Sequence, residues 1–275
     1  MKIHLVVTVG KSQIKNNLMI GYLHLKTYQT ILNSSRELAH IGVAANIKDL
    51  KLPSRRPRLL ISYIYFSSIE KYLDQFFYDT WILDSGAFTA WNAGKPIQLS
   101  DYIEFCKRVK ESARPPEEIY GLDDIQDWKK TEANVKAMWK AGVEAIPTYH
   151  VGEPPDVLRG YVKDYPKVAL GGMVRKHGNV KEKFLNLAFA VGWPKKFHAF
   201  GLDMERLLLK YPIHSVDSSS WISKPCIFGK WSKYGDLTWR GSNQDLRSEI
   251  ERIFAIEDKA NVIFKRELEM LEGRG

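Results

Sequence analysis

The stretch WILDSGAF, Trp81–Phe88, opens on three apolar residues, turns polar at Asp84 and breaks at Ser85-Gly86. A short apolar run bounded by a turn signal reads as a buried strand. The carboxylate at its end then stands just beyond the sheet. The same pattern recurs along the chain. IYGLDDIQD (Ile119–Asp127) passes from apolar to Asp123 and Asp124, IPTYH (Ile146–His150) ends on His150, VALGGM (Val168–Met173) carries Gly171 and Gly172, and IHSVDSSSW (Ile213–Trp221) carries Asp217. Nine strands are predicted: Ile3–Val9, Leu59–Tyr65, Trp81–Asp84, Ile119–Asp123, Glu144–Tyr149, Val168–Gly171, Phe197–Gly201, Ile213–Asp217 and Pro225–Phe228. Helical patterns separate them at Tyr22–Ile41, Leu99–Ala113, Lys129–Ala141, Pro155–Asp164, Lys181–Val191 and Asp203–Leu209. Strands alternating with crossover-length helices predict an α/β fold with a parallel sheet, here a (β/α)8 TIM-like barrel.

Leu246, Ile250, Ile253 and Phe254 recur at helical spacing with Glu and Lys opposite, so a terminal helix over 243–273 is expected to close or cover the barrel. No repeat, low-complexity tract or Gly/Ser linker divides the chain, and residues 1–275 are read as a single domain with an N-terminal strand or arm. KDLKLPSRRPR, Lys48–Arg58, reads as a basic loop.

Composition narrows the function classes. Lys and Arg number 41 against 32 Asp and Glu, a net charge of +9 that favours acidic partners such as nucleic acid. No run approaches the ~20 apolar residues of a spanning helix, so no membrane partner is expected. The start, MKIHLVVTVG, is too short for a signal h-region and is read as a strand. Cys106 and Cys226 lie far apart with no CxxC spacing, which excludes a disulfide framework and points to a reducing, cytoplasmic location.

In a parallel barrel the loops after the strands converge on one mouth. Asp84, Asp123, Asp124, His150, Gly171, Gly172 and Asp217 all fall at such ends. A single Asp after a strand also serves as the N-cap of the next helix, but repetition on successive strands points to a site. Neighbouring carboxyls push one another's pKa values apart, so that one serves as nucleophile while another holds a proton, as substitution at an anomeric carbon requires. A divalent ion on Asp84, Asp123, His150 and Asp217 lacks any HxH or ExxH pattern, and neither metal nor cofactor is expected.

These motifs resemble the tRNA-guanine transglycosylase superfamily. DSGAF (Asp84–Phe88) is similar to that family's DSGGFQ, GLDD (Gly121–Asp124) to its base-recognition FDE segment, and PTYHVG (Pro147–Gly152) to its IVQGG. ALGGMV (Ala169–Val174) resembles IGGLAVGE, and HAFGLDMERLL with HSVDSSSW resembles MGVGTPEDLL with MFDCVMPTR, the stretch that carries the nucleophile. Order and spacing agree over about residues 82–221, half of the chain. The family's cysteine-rich zinc site is missing, since Cys226 is the only cysteine after Asp217. The chain is therefore most similar to the zinc-free relatives in phages and bacteria that insert 7-deazaguanines into DNA, and a phage origin would place it in the host cytoplasm.

The resemblance implies a base exchange in which Asp217 is the nucleophile and Asp84 the general acid and base. It makes Asp123, with Asp124, the acceptor for the ring N–H and exocyclic amine. His150 and the backbone of Gly171, Gly172 and Met173 would read the carbonyl edge, with Ser85 and Gly86 in the base pocket. A flipped base calls for aromatic stacking, for which Phe88, Tyr149 and Trp221 are candidates. In the segment over 222–241, Lys224, Lys230, Lys233 and Arg240 interleave with Trp231, Tyr234 and Trp239, a pattern suited to a nucleic-acid groove. The implied partners are DNA, or tRNA as the alternative, and a free 7-deazaguanine base such as 7-cyano-7-deazaguanine. A non-catalytic nucleic-acid-binding barrel and a glycosidase-like or metal-dependent hydrolase are the other readings of the same carboxylates.

Overall fold

A computed structural model describes residues 1–7, 54–70, 73, 78–219 and 243–273. Among these, β1 (Lys2–Val7), β2 (Arg58–Ser62), β3 (Trp81–Asp84), β4 (Glu118–Tyr120), β5 (Ala145–Ile146), β6 (Thr148–His150), β7 (Lys167–Gly171), β8 (Lys196–Ala199) and β9 (Ser215–Ser218) form one sheet ordered β5-β4-β3-β2-β1-β9-β8-β7-β6, with every pair parallel. The two ends of that order are halves of one stave. β5 pairs with β4 and β6 with β7, and only Pro147, which has no N–H to give a ladder, separates them. Its carbonyl still accepts from Ala169 N at 2.8 Å, and Ile146 O accepts from Gly121 N at 2.9 Å. Ala145–His150 thus joins both edges, and the fold is an eight-stave (β/α) barrel.

Side-chain alternation sorts the strands into two faces. Ile3, Leu5, Leu59, Ile61, Trp81, Leu83, Val168, Leu170 and Phe197 pack outward with helical residues such as Tyr102, Val135, Met138 and Leu185 in the main core. Leu60, Ile82, Tyr120, Ile146 and Ala169 form a second, internal cluster. Beneath it the interior is polar, with Lys167, Glu118 and Ser215 bonded together.

Several boundaries depart from the sequence reading. The second strand stops at Ser62, where α1 (Tyr63–Ile69) begins, because Tyr63–Tyr65 are apolar enough to suit either element. α2 (Ala87–Asn92) was not anticipated, as its single turn and a half lies inside the WILDSGAF motif and its continuation. α3 (Leu99–Lys110), α4 (Trp128–Lys140), α5 (Pro155–Asp164), α6 (Gly178–Gly192) and α7 (Glu205–Leu208) match the predicted helices to within a few residues. The predicted helix Tyr22–Ile41 and strand Pro225–Phe228 lie outside the described residues.

The terminal helix is two helices, α8 (Asn243–Ile263) and α9 (Lys265–Leu271). Ile250, Ile253 and Phe254 are buried as the periodicity required. One glutamate of α8 is not on the solvent face: Glu257 is buried and accepts from Ile3 N at 2.8 Å and Arg58 Nη1 at 2.9 Å, with Arg55 at 3.2 Å. Arg55 and Arg58 of the basic segment are thereby committed to holding α8 beneath β1 and β2, while residues 48–53 of that segment lie outside the described residues. No helix among the described residues is long and apolar enough to cross a membrane.

Candidate active site

Asp84 closes β3, and its register partner on β2 is Ser62. The Ser62 hydroxyl donates to Asp84 Oδ2 at 2.8 Å, and Gly86 N donates to the same oxygen at 3.0 Å. Gly86 adopts φ +77°, and a Cβ there would stand 2.8 Å from Ile64 Cγ1, so the DSG turn that folds this amide onto the carboxylate requires glycine. Burial, followed by the charges of Asp123 and Asp217, pushes the Asp84 pKa up from 3.8 to about 7 against the hydrogen bonds from Ser62 and Gly86.

Asp217 lies on β9, buried, and accepts from Gly201 N at 2.8 Å. Burial raises its pKa to about 7, with Asp203 adding repulsion and the backbone hydrogen bonds opposing. Two carboxyls on separate staves thus titrate near neutrality, a condition in which a proton donor and an ionised carboxylate coexist.

Asp123 and His150 meet as the third element. His150 Nε2 stands 2.9 Å from Asp123 Oδ2, and Nδ1 is 3.1 Å from Glu153 Oε1, while His150 N donates to Glu153 Oε2 at 2.9 Å. Burial disfavours the imidazolium, but the two carboxylates outweigh it and hold the His150 pKa up at about 9. Both ring nitrogens are therefore occupied, and His150 fixes Asp123 instead of presenting a free edge. The Ser85 hydroxyl reaches Asp123 Oδ1 at 3.3 Å. Gly171 makes room for this ring: a Cβ there would lie 2.6 Å from His150 Cδ2 and 2.8 Å from Thr148 Cγ2.

The remaining predicted residues divide. Asp124 is a turn residue, accepting from Gln126 N, Asp127 N and Lys130 Nζ ahead of α4, and the N-cap of α4 is Asp127, which accepts from Lys129 N and Lys130 N. Tyr149 is no stacking candidate, because alternation points it outward onto Phe184, with ring centroids 5.5 Å apart. The Met173 side chain is fully buried in the main core, so only its backbone remains for reading a base. Gly172 takes φ +75° beside Val151 N. Phe88 is exposed on α2, 6.4 Å from the equally exposed Trp91. A cavity of about 420 Å³, lined by Trp91, Lys95, Gln98, Asp123 and Lys130 among others, opens between α2 and the start of α4. Trp221, Lys224, Lys230, Trp231, Lys233, Trp239 and Arg240 lie outside the described residues. Among the described residues no three His, Cys, Asp or Glu side chains are placed to share a metal ion.

Ser62, Glu153, Gly201 and His198 were missed. Ser62 carries a signal, since it ends the strand beside Asp84's, and Glu153 follows His150 by three. Gly201 and His198 become relevant only through the packing of β8 on β9.

The His150 triad makes Gly171→Ala a sensitive substitution. Displacing the ring is expected to cost ~1–3 kcal/mol and to remove the raised histidine titration. Because that pKa lies above the ordinary 6.5, the stability it contributes is present in full below 6.5 and is lost as pH rises through about 9. Urea unfolding at neutral and alkaline pH, with histidine NMR titration, checks both: a variant as stable as the wild type, with a titration still near 9, would contradict this account.

No family model and no curated protein matches the chain. Among solved structures it is similar to a mutant tryptophan synthase α-subunit from the hyperthermophile Pyrococcus furiosus, at 12% identity and a TM-score of 0.43, over 96% of this chain and 98% of that one. It is also similar to tryptophan synthase from M. tuberculosis, at 10% identity and a TM-score of 0.34, over 82% of this chain and 74% of that one. Neither likeness bears on activity, and the barrel assignment rests on the strand pairing itself.

Proposed function

We propose that this chain is a base-exchange glycosyltransferase that replaces guanine in DNA with a 7-deazaguanine through a covalent Asp217 intermediate. The observation that carries the reading is the pair Asp84 and Asp217, on β3 and β9 of one barrel, both pushed to about 7 and both held by a backbone N–H. Double displacement at an anomeric carbon needs one carboxylic acid and one carboxylate at the same pH.

A carboxylate oxygen of Asp217 attacks C1′, and the C1′–N9 bond breaks as Asp84 gives its proton to the departing guanine. The incoming base returns a proton from N9 to Asp84 and attacks C1′, and the bond to Asp217 breaks. Two inversions give net retention. Asp123, held by the His150 imidazolium, accepts from the ring N–H and the exocyclic amine of the base. Leaving such a buried acceptor unpaired costs ~1–3 kcal/mol, which discriminates against bases without those donors.

The test supplies DNA in one arm and tRNA in another, with labelled guanine or 7-cyano-7-deazaguanine, and identifies the nucleosides after hydrolysis. Label in deoxynucleosides supports the DNA reading, and label in ribonucleosides alone selects the tRNA alternative. With neither, the exchange reaction is refuted and a binding barrel or a hydrolase becomes the better account.

A further inference from the structure

Below Asp217, three buried polar side chains, Lys167, Ser215 and His198, and the half-buried Glu118 run down the barrel axis without a place in the reaction described above. Lys167 Nζ donates to both carboxylate oxygens of Glu118 at 2.7 Å and to Ser215 Oγ at 2.8 Å, which uses all three ammonium hydrogens. Ser215 Oγ lies 2.9 Å from His198 Nδ1. His198 is fully buried between Tyr120 and Phe200, with ring centroids at 4.8 and 4.6 Å. Its Nε2 has no hydrogen-bond partner, and the acidic oxygen nearest to it is Asp217 Oδ1 at 3.5 Å.

We propose that Lys167, Ser215 and His198 form a directed relay in which His198 is a positioning residue that presents an Nε2–H to Asp217 Oδ1, leaving Oδ2 for the attack. The direction follows from donor counting. Lys167 can only donate and an ionised Asp217 can only accept, so the ring nitrogen facing Asp217 carries the proton, and Ser215 Oγ, which accepts from Lys167, gives its hydrogen to His198 Nδ1. A neutral imidazole that accepts at Nδ1 carries its proton on Nε2. Burial, followed by Lys167, holds the His198 pKa well below 6.5, so the ring stays neutral. The cation of Lys167 thereby polarises Ser215 and His198 toward Asp217, and the gap at 3.5 Å closes when Asp217 carries its negative charge. Gly201 N–H and His198 Nε2–H then hold Oδ1 together, as they would hold the carbonyl of the glycosyl ester.

Other groups act on the same titration. Asp203 raises the Asp217 pKa, and Asp217 in turn acts on Asp84 together with Asp123. His4, with its ring 6.0 Å from His198, is also held well below 6.5, and Glu118 favours the charged form of both histidines against Lys167.

The role of His198 rests on the reading of Asp217 as nucleophile, and the experiment separates the two. The full-length protein, labelled with 15N and 13C, reports the His198 tautomer and the Asp217 titration by NMR whether or not it exchanges bases. The Nε2–H tautomer is expected from about pH 5 to about pH 9. Ser215→Ala is expected to raise the Asp217 pKa by about one, an about tenfold smaller ionised fraction below it. In the exchange assay the same variant should be about tenfold slower near pH 6 and close to wild type near pH 9. His198→Gln, which keeps an N–H donor, should stay within about threefold of wild type, whereas His198→Phe should lose at least as much as Ser215→Ala. An Nδ1–H tautomer, or an Asp217 titration unmoved in both Ser215→Ala and His198→Phe, overturns the relay. Wild type that shows the expected tautomer and shifts but exchanges no base overturns the reaction and leaves the relay standing.

Discussion

Asp217→Asn is expected to abolish base exchange, with a loss of at least ~10³-fold in rate, because the amide cannot form the glycosyl bond and no other carboxylate takes its place in the double displacement. The substitution is nearly isosteric, and the amide oxygen can still accept from Gly201 N, which donates to Asp217 Oδ1 at 2.8 Å. Loss of activity by unfolding is therefore not expected. Wild-type protein incubated with DNA and no incoming base should release guanine and retain a denaturation-resistant protein–DNA adduct, and the variant should yield neither. Exchange by Asp217→Asn at the wild-type rate would remove Asp217 from the chemistry altogether.

The same carboxyls should make the protein less stable as pH rises, the opposite of the usual effect of salt-bridged acids. Asp84 and Asp217 go from 3.8 to about 7 on folding, so the folded state keeps two protons that the unfolded chain gives up. Their contribution is present in full below pH 3.8 and is lost as pH rises through about 7. The difference amounts to at most about 4 kcal/mol per carboxyl, and less for Asp84, which keeps some surface open to water at the mouth. Asp84→Asn retains acceptors for Ser62 and Gly86 N yet cannot ionise. It is expected to be more stable than wild type near pH 8 by ~2–4 kcal/mol, equally stable near pH 4, and inactive in exchange. Urea denaturation across that range measures it. A pH-independent difference between the two proteins would mean that Asp84 titrates at its ordinary value.

The His150 group answers to the same logic with the opposite charge. Its imidazolium is sustained by Asp123 and Glu153, and alkaline pH removes that support while also ionising Asp84. On the proposed reading, the carboxyls that would poise the chemistry near neutrality, Asp84 and Asp217, are also the ones whose desolvation weakens the fold.

The sequence by itself determined the staves and the mouth. Apolar runs such as Trp81–Leu83 and Val168–Leu170 must be buried, period-two alternation fixes which residues face the helices, and a strand that ends in Asp84 or His150 places that side chain at the strand's C-terminal end. These are local properties of a chain, so they can be read along it. The tertiary structure alone decided which strand ends meet. Pro147 divides the stave read as the single strand Glu144–Tyr149 into two halves that join β4 to β7, and this pairing across distant sequence closes eight staves into a barrel. It also decided that His150 is spent on Asp123 and Glu153, that Asp124 is a turn residue, that Tyr149 points away from the mouth, and that Glu257 is buried under β1. Lys167, Ser215 and His198 came into line below Asp217 for the same reason: they sit on three neighbouring staves, and their contact depends on register between strands, which hydrogen bonds across the sheet set and no local pattern records.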